Sequence, residues 1–289
     1  MGPARHRAGA RGGLYVPGMS ASTVTPTTPA PGRSRHPYDA CPLCSAPDIS
    51  ELRTGDCSHH ALYKPVVSPL MVWMRCGACG HVFTEGYFTD EVRAEVFSST
   101  HPNQRPGADF EQNRYVSARI VERVARHAPD GAWLDVGFGN GSLLFTAEEW
   151  GFQPQGLDLR PATVQAMRAL GIDAHCADLT ALDEPGRYSV ISLADVLEHM
   201  PYPGQGLVAA HRLLREDGVL FASMPHYDCA AWRLLDARNA NPYWGELEHF
   251  HNFSRARFYS LLEEHGFEPL QYAVSERYRL CMEVIARRR

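Results

Sequence analysis

Two groups of residues in this sequence could do chemistry, and they lie far apart. Near the front, Cys41-Pro-Leu-Cys44 and Cys76-Gly-Ala-Cys79 form two CxxC pairs with 31 residues between them. Each pair sets two thiolates on one tight turn, and two such turns supply four soft ligands in a tetrahedron, which suits Zn²⁺. Four protein ligands close the coordination sphere, so the expected role of that metal is to hold a small module together. No secretory pattern precedes the pairs, which argues against disulfides. Cys57, His59, His60 and His81 lie nearby and read as surface groups, with Cys57 a small buried one. Cys176, Cys229 and Cys281 stand singly and read as packing residues.

The second group begins with Asp135-Val-Gly137-Phe-Gly139-Asn-Gly141, placed where an apolar run gives way to a helical pattern. Glycines there permit positive φ and let a ligand touch the backbone, and the helix N-terminus beyond favours a negative group. Asp158, 23 residues after Asp135, ends the next apolar run, where a carboxylate can accept both hydroxyls of a ribose. Asp178 follows 20 residues later, at the end of a third run, placed to meet an adenine amino group. A dinucleotide loop would need glycine where Ser142 stands, and a Walker loop would need Gly-Lys-Ser/Thr, which is absent. Histidines supply the other chemistry. His199 follows the fourth run, and His249 and His251 flank Phe250 beside Glu248 in a segment rich in aromatics. Imidazole suits removal of a proton from a hydroxyl or an activated carbon. His226 and Tyr227 follow the fifth run and are further pocket candidates, whereas Trp232, Tyr243 and Trp244 read as core.

The elements that must position these groups alternate. Asp109 to His127 reads as a helix with Tyr115, Ile120, Val121 and Val124 on its apolar stripe. Strands are expected at 132–137, 154–158, 172–178, 188–194 and 219–224, and helices at 142–150, 161–170 and 203–215. Ser254 to His265 is a helix capped by Ser254, followed by strands at 268–274 and 280–286. Strands separated by helices imply a parallel sheet covered on both faces, with ligands at the carboxyl ends of the strands.

Composition sets the bounds. With 44% hydrophobic and 21% charged residues over 289, the chain can bury a core, and no run approaches a bilayer span. Residues 1–36 carry five arginines and no acid, are poor in large apolar groups, and read as a disordered extension. The remainder holds 23 basic against 33 acidic groups, which repels a phosphate backbone and disfavours nucleic acid. The expected division is 1–36 disordered, 37–97 a zinc-binding module, 98–108 a linker and 109–289 the main domain. The expected setting is cytoplasmic, and no feature points to a particular oligomeric state.

The series WLDVGFGNG, GLD, CADL, YSVISLADVLEHM and GVLFASMP resembles the motifs of class I S-adenosylmethionine-dependent methyltransferases, in order, over roughly residues 110–289. The resemblance implies an α/β, Rossmann-like seven-stranded sheet with helices on both faces, its last strand antiparallel, here preceded by the small zinc-binding module. By position, Asp135, Gly137, Gly139 and Gly141 would line the methionine portion of the cofactor, and Asp158 with Leu159 would hold the ribose. Asp178 and Leu179 would flank the adenine, and Leu193 and Ala194 would close the sulfonium end. The stretch Asp195-Val-Leu-Glu198-His199 resembles the branch acting on small molecules, and lacks the Asn/Asp-Pro-Pro-aromatic tetrad of base-amino methylation. The front cysteine pairs, Phe97-Ser98-Ser99-Thr100 and the segment from Glu248 to Ser254 resemble deoxysugar C-methyltransferases, although this chain ends without their further C-terminal domain. The expectation is therefore methylation of a small molecule, a sugar nucleotide or natural-product intermediate, with His-assisted deprotonation and in-line transfer. The alternatives are an RNA or protein methyltransferase that docks substrate on the zinc module, and a non-enzymatic zinc-knuckle protein.

Overall fold

The computed structural model describes residues 34–96, 104–278 and 280–289. The expected extension before Ser34, the Phe97–Thr100 segment and part of the 98–108 linker lie outside the described residues. The front begins with β1 (Arg35–Pro37), β2 (Ile49–Asp56), β3 (Leu70–Cys76), β4 (Val82–Thr84), β5 (Gly86–Phe88) and α1 (Asp90–Val96). The main sheet follows from α2 (Phe110–Ala125) and β6 (Ala132–Val136) through α3 (Ser142–Glu149), β7 (Gln153–Leu157), α4 (Pro161–Ala169) and β8 (Asp173–His175). Then come β9 (Tyr188–Ala194), α5 (Pro203–Leu213), β10 (Leu214–Pro225), α6 (Ala230–Ala237), β11 (His251–Asn252), α7 (Arg255–Glu264), β12 (Phe267–Val274) and β13 (Cys281–Arg288).

Seven strands form the main sheet in the order β12-β13-β10-β9-β6-β7-β8. The neighbours β10-β9-β6-β7-β8 run parallel, and β13 lies antiparallel between β10 and β12. β9 is buried along its whole length, as expected of a central parallel strand covered on both faces. In α2 the buried residues are Ser117, Ile120, Val121 and Val124. Tyr115, expected on that stripe, is 61% exposed, because it stands two residues and about 200° away from Ser117. The third strand is shorter than its apolar run. It stops at His175, and Asp178 leaves the sheet to cap a 3₁₀ turn at Leu179–Ala181, its carboxylate accepting from Thr180 N at 2.8 Å. The helix expected to run to Arg215 ends at Leu213, and β10 begins at once with a bulge before Val219. α6 and the 3₁₀ turn Pro242–Gly245 have no counterpart in the sequence expectations.

The front sheet is not self-contained. Its order is β11-β4-β3-β2, so two residues from far along the chain, His251 and Asn252, add a strand against Phe83 and Val82. An aromatic core spans both parts, with Trp73, Phe88, Trp232, Trp244, Leu247 and Phe250 in one cluster. Trp73 Nε1 donates to the Trp244 carbonyl at 2.8 Å. Gly55 permits this approach, since a Cβ there would lie 1.8 Å from that same carbonyl oxygen. Among the described residues, no helix is long and apolar enough to cross a membrane.

Candidate active site

The loop between β6 and α3 is built to expose backbone. Gly137, Gly139 and Gly141 have φ of 66°, 53° and 76°, a region that side chains resist. Phe138 tucks beneath the loop against Gly156 and Leu144. Above it the space is open, because a Cβ on Gly139 would meet nothing nearer than the Gly137 carbonyl oxygen at 3.9 Å. Gly141 has a different task, since a Cβ there would meet Met167 Cε at 2.0 Å and crowd Met167 Sδ and the Phe145 ring at 3.1 Å, so the Met167 tip would have to swing aside. Asp135 is buried in β6 and accepts from Ser192 Oγ at 2.5 Å, while Trp133 Nε1 donates to the same hydroxyl at 2.9 Å. Burial raises the Asp135 carboxyl to about 7, against the lowering effect of Ser192.

Asp158 lies buried just past β7, at the carboxyl end expected to carry ligand chemistry. Both of its oxygens are taken by Arg160, whose Nε donates to Oδ1 at 2.8 Å and whose terminal nitrogen donates to Oδ2 at 2.7 Å. Leu159 between them is 60% exposed, an apolar side chain at the rim. Asp178 is exposed beyond the neighbouring strand. Leu179 and Leu193 are turned into the main core, so they offer backbone and not side chains to the upper face. Ala194 ends β9 and is nearly buried.

Past β9 the chain enters a tight turn, with Asp195 at φ 57° and a 3₁₀ turn over Leu197–His199. This turn meets the segment ahead of β11. Phe250 N donates to the Glu198 carbonyl at 2.8 Å, and His199 Nδ1 donates to the Glu248 carbonyl at 2.9 Å. A carbonyl can only accept, so the His199 proton sits on Nδ1 and Nε2 is left with a lone pair. The His199 and His249 rings stand edge to face with centroids 4.7 Å apart. Ligand atoms of Glu198, His199 and His249 all fall within 4.8 Å of one another. Both Glu198 carboxylate oxygens and His249 Nδ1 are buried without a hydrogen-bond partner. Burial, aided by His199, lowers the His249 imidazolium to about 3, and burial with the nearby Asp195 drives the Glu198 carboxyl well upward.

His251 lies elsewhere. Its Nε2 donates to the Met200 carbonyl at 2.8 Å, and its Nδ1 faces His81 Nε2 at 3.0 Å, so both ring nitrogens are engaged in the seam between the two sheets. His81, expected at the surface, is buried there. His60, expected likewise at the surface, reaches from the front part to donate to Glu246 at 2.5 Å, and Glu248 completes that group. Burial would raise the Glu246 carboxyl, but His60 and the His249 ring outweigh it and bring it down to about 2. Arg160 feels the charge of Glu248, which ties this acidic segment to the Asp158 end of the sheet.

At the front, the four thiols of Cys41, Cys44, Cys76 and Cys79 gather within 4.8 Å, with Sγ–Sγ separations of 3.7 Å and 3.6 Å across the two turns. A tetrahedron with metal–sulfur bonds of about 2.3 Å has edges of about 3.8 Å, so the group fits zinc. Cys176 is exposed, contrary to the packing role expected of it, and Cys281 is buried.

The residues that sequence reasoning missed are Arg160, Glu198, Glu246 and His60. Arg160 was findable, because side chains two apart at a strand end share a face. Glu198 and His199 share one short turn by adjacency. His60 and Glu246, 186 residues apart, carry no sequence signal of their meeting.

Residues 110–272 match the family described as "Methyltransferase domain". The ubiquinone biosynthesis O-methyltransferase of Xanthomonas oryzae pv. oryzae is 31% identical over 128 residues, covering 42% of this chain and 51% of that protein. That of Burkholderia thailandensis is 31% identical over 134 residues, covering 41% and 55%. The chain thus spans about half the length of the curated relatives it matches. Among solved structures, the Burkholderia thailandensis 1,6-didemethyltoxoflavin-N1-methyltransferase, with bound 1,6-didemethyltoxoflavin and S-adenosylhomocysteine, superposes with a TM-score of 0.52 at 19% identity, covering 72% of this chain and 95% of that one. At that identity the likeness shows the fold. With the strand order, the open glycine loop and the family match in agreement, the chain belongs to the methyltransferase-domain family of class I, S-adenosylmethionine-dependent methyltransferases.

Proposed function

We propose that this protein methylates a hydroxyl-bearing small molecule, with S-adenosylmethionine held over the β6–α3 loop and the acceptor beside the Glu198–His199–His249 cluster. The observation that carries this reading is one row of strand ends, which bears the glycine loop with its open Gly139 backbone, Asp158 and that cluster. Bound there, the cofactor would supply a methyl group on a sulfonium, a good leaving group, for in-line transfer. Asp135, Gly137 and Gly139 would line its amino-acid portion, Asp158 its ribose, and Leu159, Asp178 and the Leu179 backbone its base. The Leu193 and Ala194 backbone would border the methyl. Asp158 must exchange its Arg160 partner for the ribose hydroxyls, and the freed guanidinium keeps its hydrogen bond to Gln104 Oε1.

His199 and His249 orient the acceptor hydroxyl and take up its proton, with the Glu246–His60 pair next in line. His249 is by itself a feeble base, so the cluster must work together. Glu248 contributes through its carbonyl to His199 and through its charge to Arg160. His251 is assigned to the seam, because neither of its nitrogens is free for an acceptor. Zn²⁺ on Cys41, Cys44, Cys76 and Cys79 would brace the front sheet against β11. Relatives named for O-methylation support a hydroxyl acceptor. The front cysteine pairs keep sugar nucleotides and natural-product intermediates first among those to test.

The experiment is transfer of labelled methyl from S-adenosylmethionine to a panel of phenols, sugar nucleotides and other hydroxylated small molecules, with RNA and protein acceptors alongside. Label in a small molecule, lost in Asp158→Ala, is expected. Label in RNA only, with steeply salt-dependent binding, would contradict the reading.

A further inference from the structure

We infer that Glu198, His199 and His249 form a binding site for a divalent cation, three donors that leave coordination positions for an acceptor's oxygen. The inference deepens the proposed function, since it rests on that cluster being the acceptor end.

The geometry points there by three independent features. One carboxylate and two imidazoles converge within 4.8 Å, and two His with one carboxylate is a donor set that holds zinc or iron with positions left over for substrate. The Glu198 side chain is fully buried with neither oxygen hydrogen-bonded, although a buried carboxylate left unpartnered costs several kcal/mol and is rarely tolerated. His199 is held as metal-binding imidazoles are held, with Nδ1–H given to a backbone carbonyl and the Nε2 lone pair left to project. His249 Nδ1 is the third unsatisfied buried atom in the same space. The adjoining His60–Glu246–Glu248 group differs, because Glu246 already accepts from His60. A cation on the Glu198 cluster would resolve these unmet bonds together and would polarise an acceptor hydroxyl; with both imidazole lone pairs then given to the metal, the hydroxyl's proton would pass to the adjoining Glu246–His60 pair.

The test uses the full chain, its zinc content measured, after a mild carboxylate chelator has cleared metal not held by thiolates. Co²⁺ is then the probe. The expected result is one Co²⁺ bound per chain with weak visible d–d bands, no thiolate-to-cobalt band in the near ultraviolet, and no loss of zinc. Glu198→Gln, with His199→Gln as the second variant, weakens that binding at least tenfold while both melt cooperatively. No Co²⁺ bound, Co²⁺ bound with thiolate bands alone, or equal affinity in either folded variant overturns the inference. S-adenosylmethionine binding is measured on the same wild-type sample. If it persists while Co²⁺ fails, the cation site falls and the methyltransferase reading stands; if both fail, both fall.

Discussion

Arg160 occupies the Asp158 carboxylate proposed to hold the ribose, so on that proposal this one contact governs how the cofactor enters. The pair is fully formed at 2.7–2.8 Å, with Asp158 buried, so binding must break a charge-assisted fork and replace it with neutral hydroxyls. Arg160→Met is therefore expected to bind S-adenosylmethionine several-fold more tightly while losing about 2 kcal/mol of stability, and calorimetry beside denaturant unfolding checks both signs. Weaker binding would mean that Arg160 contacts the cofactor instead of competing with it. Asp135 makes a second prediction. Its folded pKa of about 7 lies above the unfolded value of about 3.9, so the native state keeps a proton that the unfolded chain has released. Stability contributed by this group accordingly falls as pH rises between those values, by up to roughly 1.4 kcal/mol per unit. Asp135→Asn should flatten that slope in unfolding measurements from pH 4 to 7.

Elements turn these residues toward one another, and they do so through two glycines with different duties. Gly141→Ala makes the Met167 tip swing aside, crowds Phe145 and strains a positive φ, so a loss of about 2 kcal/mol is expected. Gly139→Ala meets open space, costs about 1 kcal/mol of backbone strain, and reduces cofactor affinity at least tenfold by filling the cradle. Comparable effects of the two on stability would refute that division of labour. This loop was legible in the sequence, because glycine spacing, strand and helix are local and period-bound. Asp178 was not, since pairing with β7 stops at His175 and Asp178, three residues on and outside the sheet, accepts from Thr180 N instead. The pairing of β11 with β4 was hidden as well. A two-residue strand has no periodicity, and its partner lies some 170 residues away, so His251 looked like a base when it is a seam residue.

Over the whole molecule, the cysteine cluster and the Glu198–His199–His249 cluster are joined by one strand pair. β4 follows directly on the second cysteine turn, β11 pairs with it, and His249 stands two residues before His251 on that same segment. Cys41→Ser should therefore lower the melting temperature by about 5 °C or more and impair methyl transfer more than tenfold, yet leave cofactor affinity within about threefold, because the β6–α3 loop belongs to the main sheet and not to the front sheet that the cysteines brace. The proposed cofactor cradle is formed by the β6–α3 glycine loop and Asp158. Isothermal titration of S-adenosylmethionine into the full chain and into Asp158→Asn tests it most directly. Saturable binding at one site per chain, weakened at least tenfold in the folded variant, is the expected result. Wild-type binding that the variant reproduces unchanged would contradict the account.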